Sequence, residues 1–316
     1  MVKKKSPKII SLPQVPLAPP PGPKRSHDKM MADLNRLLAQ QNFESEADVN
    51  KFMQELMASG GGFVPEVAPQ TALEEAQDIM FEAFESPNRR QRINLARKAL
   101  KVSPDCADAY VLLAEETAKT PAEARALYEE GVKAGERALG ADFEELKGSF
   151  WGFHETRPYM RARLGLAIVL VALGEREAAA EHMRAMLELN PDDNQGVRYS
   201  YLGLLLDLDD RPAIEKLLKK YKGDWSATWK YSAALFEFRK NGRGRKANKL
   251  LSDAISYNPH VPLFLLNKKK VPRQLPPYYS PGDESEAVQY LIDGARNWVQ
   301  TEGALDWLRE TMTMFG

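Results

Sequence analysis

An all-α fold of stacked helical hairpins is what this 316-residue sequence predicts, and three observations predict it. Apolar residues recur at three- and four-residue spacing from Thr71 almost to the end, with hardly any strand-like alternation. Prolines punctuate that pattern in matching settings. "ALKVSPD" at 99–105, "MLELNPD" at 186–192 and "AISYNPH" at 254–260 each run from a small or apolar residue through four others to Pro, which a helix cannot continue through. Pro191 and Pro259 lie 68 residues apart, two periods of 34, which is the tetratricopeptide length. The predicted class is therefore all-α: a tetratricopeptide-like α-α superhelix, or solenoid of helical hairpins, with C-terminal capping helices.

Residues 1–26 hold seven prolines and read as a disordered Pro/Lys-rich tail. A small helical hairpin follows over 27–59. Leu34, Leu37 and Leu38 serve its first helix, and Val49, Phe52, Met53 and Leu56 its second; Ser45 with Asp48 makes a capping-box-like start. Gly60-Gly61-Gly62 ends it, and 60–70, with Pro65 and Pro69, reads as a linker.

Helical repeats are expected over 71–266. In the unit ending at Pro191, Leu166, Ala167 and Leu170 mark the first helix, Gly174 the turn, and Ala179, Met183 and Met186 the second. The unit ending at Pro259 offers Tyr231, Ala234, Leu235 and Phe238, then Ala247, Leu251 and Ala254. Residues 110–132 and the unit ending at Pro104 match more weakly, and a fifth, degenerate repeat lies between Pro191 and Pro259. Small residues belong where the helices of a hairpin cross, and larger ones between neighbouring hairpins.

The period breaks at 140–157, "GADFEELKGSFWGFHETR", an aromatic insertion that reads either as a plug between repeats or as a ligand contact through Phe150, Trp151, Phe153, His154, Glu155 and Arg157. Residues 267–316 begin with a Pro-rich connection and continue into capping helices. Asp283 is the expected N-cap there, and Leu291, Ala295, Trp298, Leu305 and Leu308 cover the last repeat.

Composition excludes several classes. Forty-four basic and forty-four acidic residues balance, but residues 1–29 carry seven basic side chains against Asp28 alone, so the body is mildly acidic and unsuited to a dedicated nucleic-acid site. The longest apolar stretch, 164–174, is too short to span a bilayer, and the prolines near the N-terminus argue against a signal peptide. A single cysteine, Cys106, fits a reducing compartment; it reads as a small buried filler, with a reactive thiol at a helix start as the alternative.

Particular stretches carry more than a repeat pattern. "RLGLAIVLVALGEREAAAEHMRAMLELNP", "LLLDLDDRPAIEKLLKKY", "SATWKYSAALFEFRK", "NPHVPLFLL", "LPP", "GDESEA", Trp298 and "EGAL" at 302–305, in that order, resemble the suppression of tumorigenicity 7 family over roughly 72–311. The resemblance implies a repeat-built interaction protein without an assigned catalytic activity. Animal members carry membrane-spanning N-terminal segments; this chain departs from them there, and so looks like a soluble bacterial relative with a cytoplasmic location.

Chemical motifs are few. "HETRP" at 154–158 has Pro158 where a zinc-protease helix needs its second histidine, and "GRGRKAN" at 242–248 lacks the glycines of a nucleotide loop and reads as a turn. No metal or cofactor is expected. The leading reading is a non-catalytic scaffold that binds a peptide or protein in the repeat groove, where first helices place Arg161, Leu164, Ile168, Arg198, Tyr199, Leu202, Trp229, Phe236, Arg239 and Lys240. Mixed arginines and rings suit a partner with acidic groups, while packing between hairpins is the equal alternative for Trp229 and Phe236. The runner-up is a regulatory subunit or enzyme with a pocket built by 140–157, using His154 and Glu155 as acid–base groups and Arg157 to hold an anion. A weaker alternative has the basic tail engaging nucleic acid or anionic membrane. The sequence leaves the oligomeric state open.

Overall fold

The computed structural model describes residues 26–60, 64–272 and 278–314, so the expected tail and the centre of the Pro-rich connection lie outside the described residues. Among the described residues the regular structure is helical, apart from an isolated bridge between Phe150 and Phe153. None of these helices is long and apolar enough to cross a membrane.

Proline punctuation sets the hairpins. Helices α1 (Ser26–Ala39) and α2 (Glu46–Gly60) precede the repeats; α3 (Ala72–Glu85) and α4 (Arg89–Val102) form the first hairpin, and α5 (Ala107–Thr117) with α6 (Pro121–Leu139) the second. After the short α7 (Asp142–Glu145) come α8 (Arg157–Leu173) with α9 (Arg176–Leu189), α10 (Val197–Leu208) with α11 (Arg211–Lys220), and α12 (Ala227–Asn241) with α13 (Arg245–Tyr257). Helices α4, α9 and α13 end alike. The N–H of Ser103, Asn190 or Asn258 donates to the carbonyl four residues back, at 2.8, 2.9 and 3.0 Å, and the next residue is Pro104, Pro191 or Pro259. Having no N–H to continue the ladder, proline turns the chain into the next element.

Helix starts follow the same local chemistry. Thr71, Asn88, Thr120, Asp210, Ser226 and Asp283 each accept a first-turn N–H through a side-chain oxygen. Pro121 and Pro212 sit in first turns, where a missing donor costs nothing.

The described residues fall into two compact units, 26–194 and 195–314. In the first, Ala76, Met80, Ala83, Ala96 and Ala99 are fully buried between α3 and α4, and Cys106 joins them as a small buried filler. Burial pushes its thiol up to about 12, far from a reactive thiolate. Helices α6 and α8 pack so closely that a Cβ on Gly165 would overlap the Tyr128 ring. The 140–157 insertion seats Phe150, with no exposed surface, edge-on to Phe143 and Tyr159 at ring centroids of 5.1 and 5.9 Å. Phe150 N–H also donates to Leu189 carbonyl at 3.0 Å, so this ring is a plug in the stack.

In the second unit, α14 (His260–Leu265), α15 (Glu284–Gln300) and α16 (Ala304–Met312) close over α12 and α13. Leu291, Ala295, Trp298 and Leu308 are fully buried there, with Leu305 half-buried beside them. Tyr290 stacks on Tyr231 and Trp307 on Phe238, the latter at 4.5 Å between centroids. The "NPHVP" and "GDESEA" stretches meet in one polar knot. Asn258 Nδ2 donates to Asp283 carbonyl at 2.9 Å and Glu286 Oε2 at 3.1 Å, and Glu286 also accepts the N–H of Ala227 at 2.9 Å and of Gly282 at 2.7 Å.

Candidate functional site

The first unit has a groove, and α1 lies in it. Helix α1 turns a polar face inward: Asp28, Asp33 and Arg36 are buried with Ala32. Arg36 is only 6% exposed and is held by a fork of hydrogen bonds to Asp78, at 2.9 and 3.0 Å. It also pairs with Glu74 at 3.1 Å and donates to Val67 carbonyl at 3.1 Å. Eight residues of helix earlier, the Asp28 carboxylate receives Arg157 Nη1 at 2.5 Å and Arg161 Nη1 at 3.0 Å. Between these anchors, Asn35 donates to Glu155 at 2.9 Å and lies 3.2 Å from His154 Nδ1.

Arg161 is a pivot. Its remaining donors make a second fork to Asp108, at 2.8 and 2.7 Å, and Asp108 has no exposed surface. Gln77 adds a 2.9 Å hydrogen bond to the same carboxylate. The acidic group expected to meet Arg161 is thus supplied from inside the chain, once by Asp108 on α5 and once by Asp28 on α1.

A chamber of about 530 Å³ remains beneath α1. Leu73, Phe81, Ala107, Leu139, Phe153 and Pro158 give it apolar walls. The insertion contributes Phe153, which is 45% exposed, along with His154 and Glu155. Trp151 lies beside them with φ 76°, its N–H held by Thr156 Oγ1 at 3.0 Å and its carbonyl by Arg157 Nε at 3.0 Å. Burial holds His154 below the usual imidazole range. Leu164 and Ile168 are half-buried on α8.

The other residues singled out from sequence belong to the 195–314 unit. Arg198 lies over the Tyr199 and Tyr221 rings, at 4.3 and 5.4 Å, and pairs with Asp224 at 2.8 Å. Arg239 donates to Thr301 Oγ1, Leu206 carbonyl and Asn297, and burial lowers its pKa. Leu202 has no exposed surface, and Trp229 and Phe236 are nearly buried, Trp229 edge-on to Tyr199 and Tyr221. Lys240 is exposed and pairs with Glu215. Sequence spacing finds the inward face of a first helix but does not separate a face that meets another helix from one that meets a ligand.

Asp28, Asn35, Arg36, Asp78 and Asp108 escaped the sequence reading. The available signal was a helix whose Asp28, Ala32, Asn35, Arg36 and Ala39 share one face by spacing yet are polar or small, where a docking face is ordinarily apolar.

Fold and groove together define a helical-hairpin repeat protein of the tetratricopeptide class. The family model described as ST7 protein matches residues 66–315, and the chain belongs to that family. The human protein "Suppressor of tumorigenicity 7 protein-like" is 30% identical over 264 residues, covering 76% of this chain and 45% of its own. The "Protein ST7 homolog" of Drosophila melanogaster is 30% identical over 266 residues, covering 76% and 49%. The chain thus spans about half the length of the curated relatives it matches. Among solved structures, that of YrrB, titled a TPR protein with an unusual peptide-binding site, aligns with a TM-score of 0.42 and 19% identity over 69% of this chain and 97% of that one. Helices α1 and α2 precede the matched segment.

Proposed function

We propose that this chain is a non-catalytic interaction scaffold that holds a helical segment of a protein partner in the groove of the 26–194 unit. The seating of α1 carries the reading: the groove accommodates a helix and engages its carboxylate through Arg157 and Arg161. Charge-assisted Arg–carboxylate contacts fix orientation, and the surrounding apolar walls offer the buried area on which helix-in-groove binding depends. Partners with acidic groups follow from the same arginines.

The test starts from full-length chain used as bait in its native host. A co-eluting protein is identified, purified and titrated against the wild type and a Phe153→Asp, Ala138→Asp variant, which alters two exposed positions of the chamber wall. Binding is expected to weaken at least about tenfold, because unpaired charge would be buried against apolar surface, while the thermal melt stays unchanged. Undiminished binding would remove the groove from consideration.

The chamber also favours a second reading. Its volume lies within the range of small-molecule sites, and His154 and Glu155 on its wall could move a proton while Arg157 holds an anion. A turnover lost in His154→Gln or Glu155→Gln, with partner binding intact, would select it.

A further inference from the structure

We infer that α1 is a stand-in for the partner, and that the partner segment is an amphipathic helix with a carboxylate at the place of Asp28 and large apolar side chains at the places of Ala32 and Ala39. The inference rests on the groove reading above and adds the chemistry of the occupant.

Three observations carry it. First, α1 is fixed at two points two helical turns apart, both ionic: Asp28 on Arg157 and Arg161, and Arg36 on Asp78 and Glu74. Buried ion pairs dictate orientation and register but yield little net free energy once desolvation is counted. Second, α1 lines the chamber with Ala32 and Asn35 between those points and with Ala39 beyond them, and none of these carries a large apolar side chain. The facing walls mix Leu73, Phe81, Leu139, Phe153 and Pro158 with polar side chains such as Gln77 and Glu145, so within about 530 Å³ a set of apolar side chains is left unmet by the helix that covers them. Apolar walls without partner atoms forfeit both dispersion and dehydration. Third, the groove is built from α3, α5, α6 and α8, which lie inside the family match at 66–315, whereas α1 lies outside it.

Positions 28, 32, 35, 36 and 39 trace one face of a helix, so α1 displays the spacing that the groove accepts. A helix with the same charges and with leucine, methionine or phenylalanine at the two alanine positions would make the ionic contacts and fill the chamber. Tethering gives α1 a high effective concentration, which lets a poorly filling helix hold the groove until a better one arrives.

The test uses the full chain and two fluorescent 14-residue peptides, one with the sequence of residues 26–39 and one carrying Ala32→Leu and Ala39→Leu. Each is titrated against the wild type and against a chain with Asp28→Lys and Arg36→Glu, substitutions that set α1 against Arg157, Arg161, Glu74 and Asp78. The leucine peptide is expected to bind the released chain at least tenfold more tightly than the wild type, and at least tenfold more tightly than the unaltered peptide does. Equal affinity for both chains, or for both peptides, overturns the inference. A second variant covers the case in which the released chain fails to fold. Ala32→Leu with Ala39→Leu in the chain itself keeps every ion pair and should raise the melting temperature and slow proteolysis between α1 and α3; an unchanged or lowered melt overturns the inference. Should neither peptide bind while the captured partner still depends on Phe153, the assignment of α1 falls and the scaffold reading survives. Peptide binding with a partner indifferent to Phe153 does the reverse.

Discussion

The two units cover a hairpin face by opposite means. In the 195–314 unit, α15 and α16 lay rings on it: Tyr290 on Tyr231, Trp307 on Phe238, and Trp298 against Trp307 at 6.0 Å. Trp298 has no exposed surface, and its indole N–H is satisfied by Tyr290 hydroxyl at 2.7 Å. In the 26–194 unit, α1 covers the face with carboxylates, a guanidinium and alanines, and leaves the chamber beneath. Packed rings become inseparable from the core. A cover made of charge is a contact that another helix bearing the same charges can reproduce.

The largest expected effect is on the sealed side. Trp298→Ala should cost about 3–5 kcal/mol, the usual range for removing a buried aromatic ring, read from urea denaturation of the full chain. A cost below about 1 kcal/mol would show that α15 is no better seated than α1 and erase the contrast.

Next comes Arg161→Ala, at about 3 kcal/mol, since the fully buried Asp108 carboxylate would lose the guanidinium that neutralises it. Arg161→Lys should recover less than half of the loss, because an ammonium cannot make the planar fork to Asp108 while also reaching Asp28. Full recovery would mean that charge alone, not geometry, holds the pivot.

Asp28→Ala should cost only about 1 kcal/mol in global stability yet speed proteolytic cleavage between α1 and α3 severalfold, because it frees the cover and spares the hairpins. A global loss as large as that of Trp298→Ala would make α1 part of the core.

The smallest effect is on pH. Burial holds His154 and His182, both in the 26–194 unit, below the usual imidazole range. His154 faces Glu155, Asp28, Arg157 and Arg36, and His182 faces Arg163, Glu181 and Glu129. The unfolded chain then binds more protons than the native one, so their contribution is present above about pH 6.5 and is lost as pH falls through the native pKa. Asp293, in the other unit, is pushed up by burial, so its contribution is present at acid pH and lost as pH rises through its native pKa. Hydrogen exchange followed separately in the two units between pH 7.5 and 5, after correction for intrinsic rates, should show the first loosening, with a melting temperature lower by about 1–3 °C. His182→Gln should flatten that slope; an unaltered slope would assign it to other groups.

Repeat architecture was legible because it is local. A proline after a capping residue, alanines at helix crossings and an aspartate before a helix act within a turn or two, and the hairpins from Ala72 to Tyr257 follow from them. The groove was legible only in part. Arg161 could be placed on a first helix, but its partners lie 53 and 133 residues away, and contacts that distant leave no periodicity in the sequence. Leu202, Trp229 and Phe236 illustrate the same boundary: their spacing marks the inward face, and only the position of the neighbouring helix decides that the face is buried. The role of the insertion was divided by distance. Phe150, which bonds back to Leu189, is a plug, whereas Phe153 three residues on forms a chamber wall.

The polar knot of Asn258, Asp283 and Glu286 has a use for the engineer. It ties Asn258, at the end of α13, to Asp283 and Glu286, at the start of α15, so the chain leaves one helix and enters the other at the same few atoms. Closing a longer flexible loop between fixed ends is cheap, about 0.6 kcal/mol for each doubling of its length. An epitope or a small fluorescent domain spliced in between α14 and α15 should therefore leave α15 and α16 seated, giving a handle for labelling the 195–314 unit.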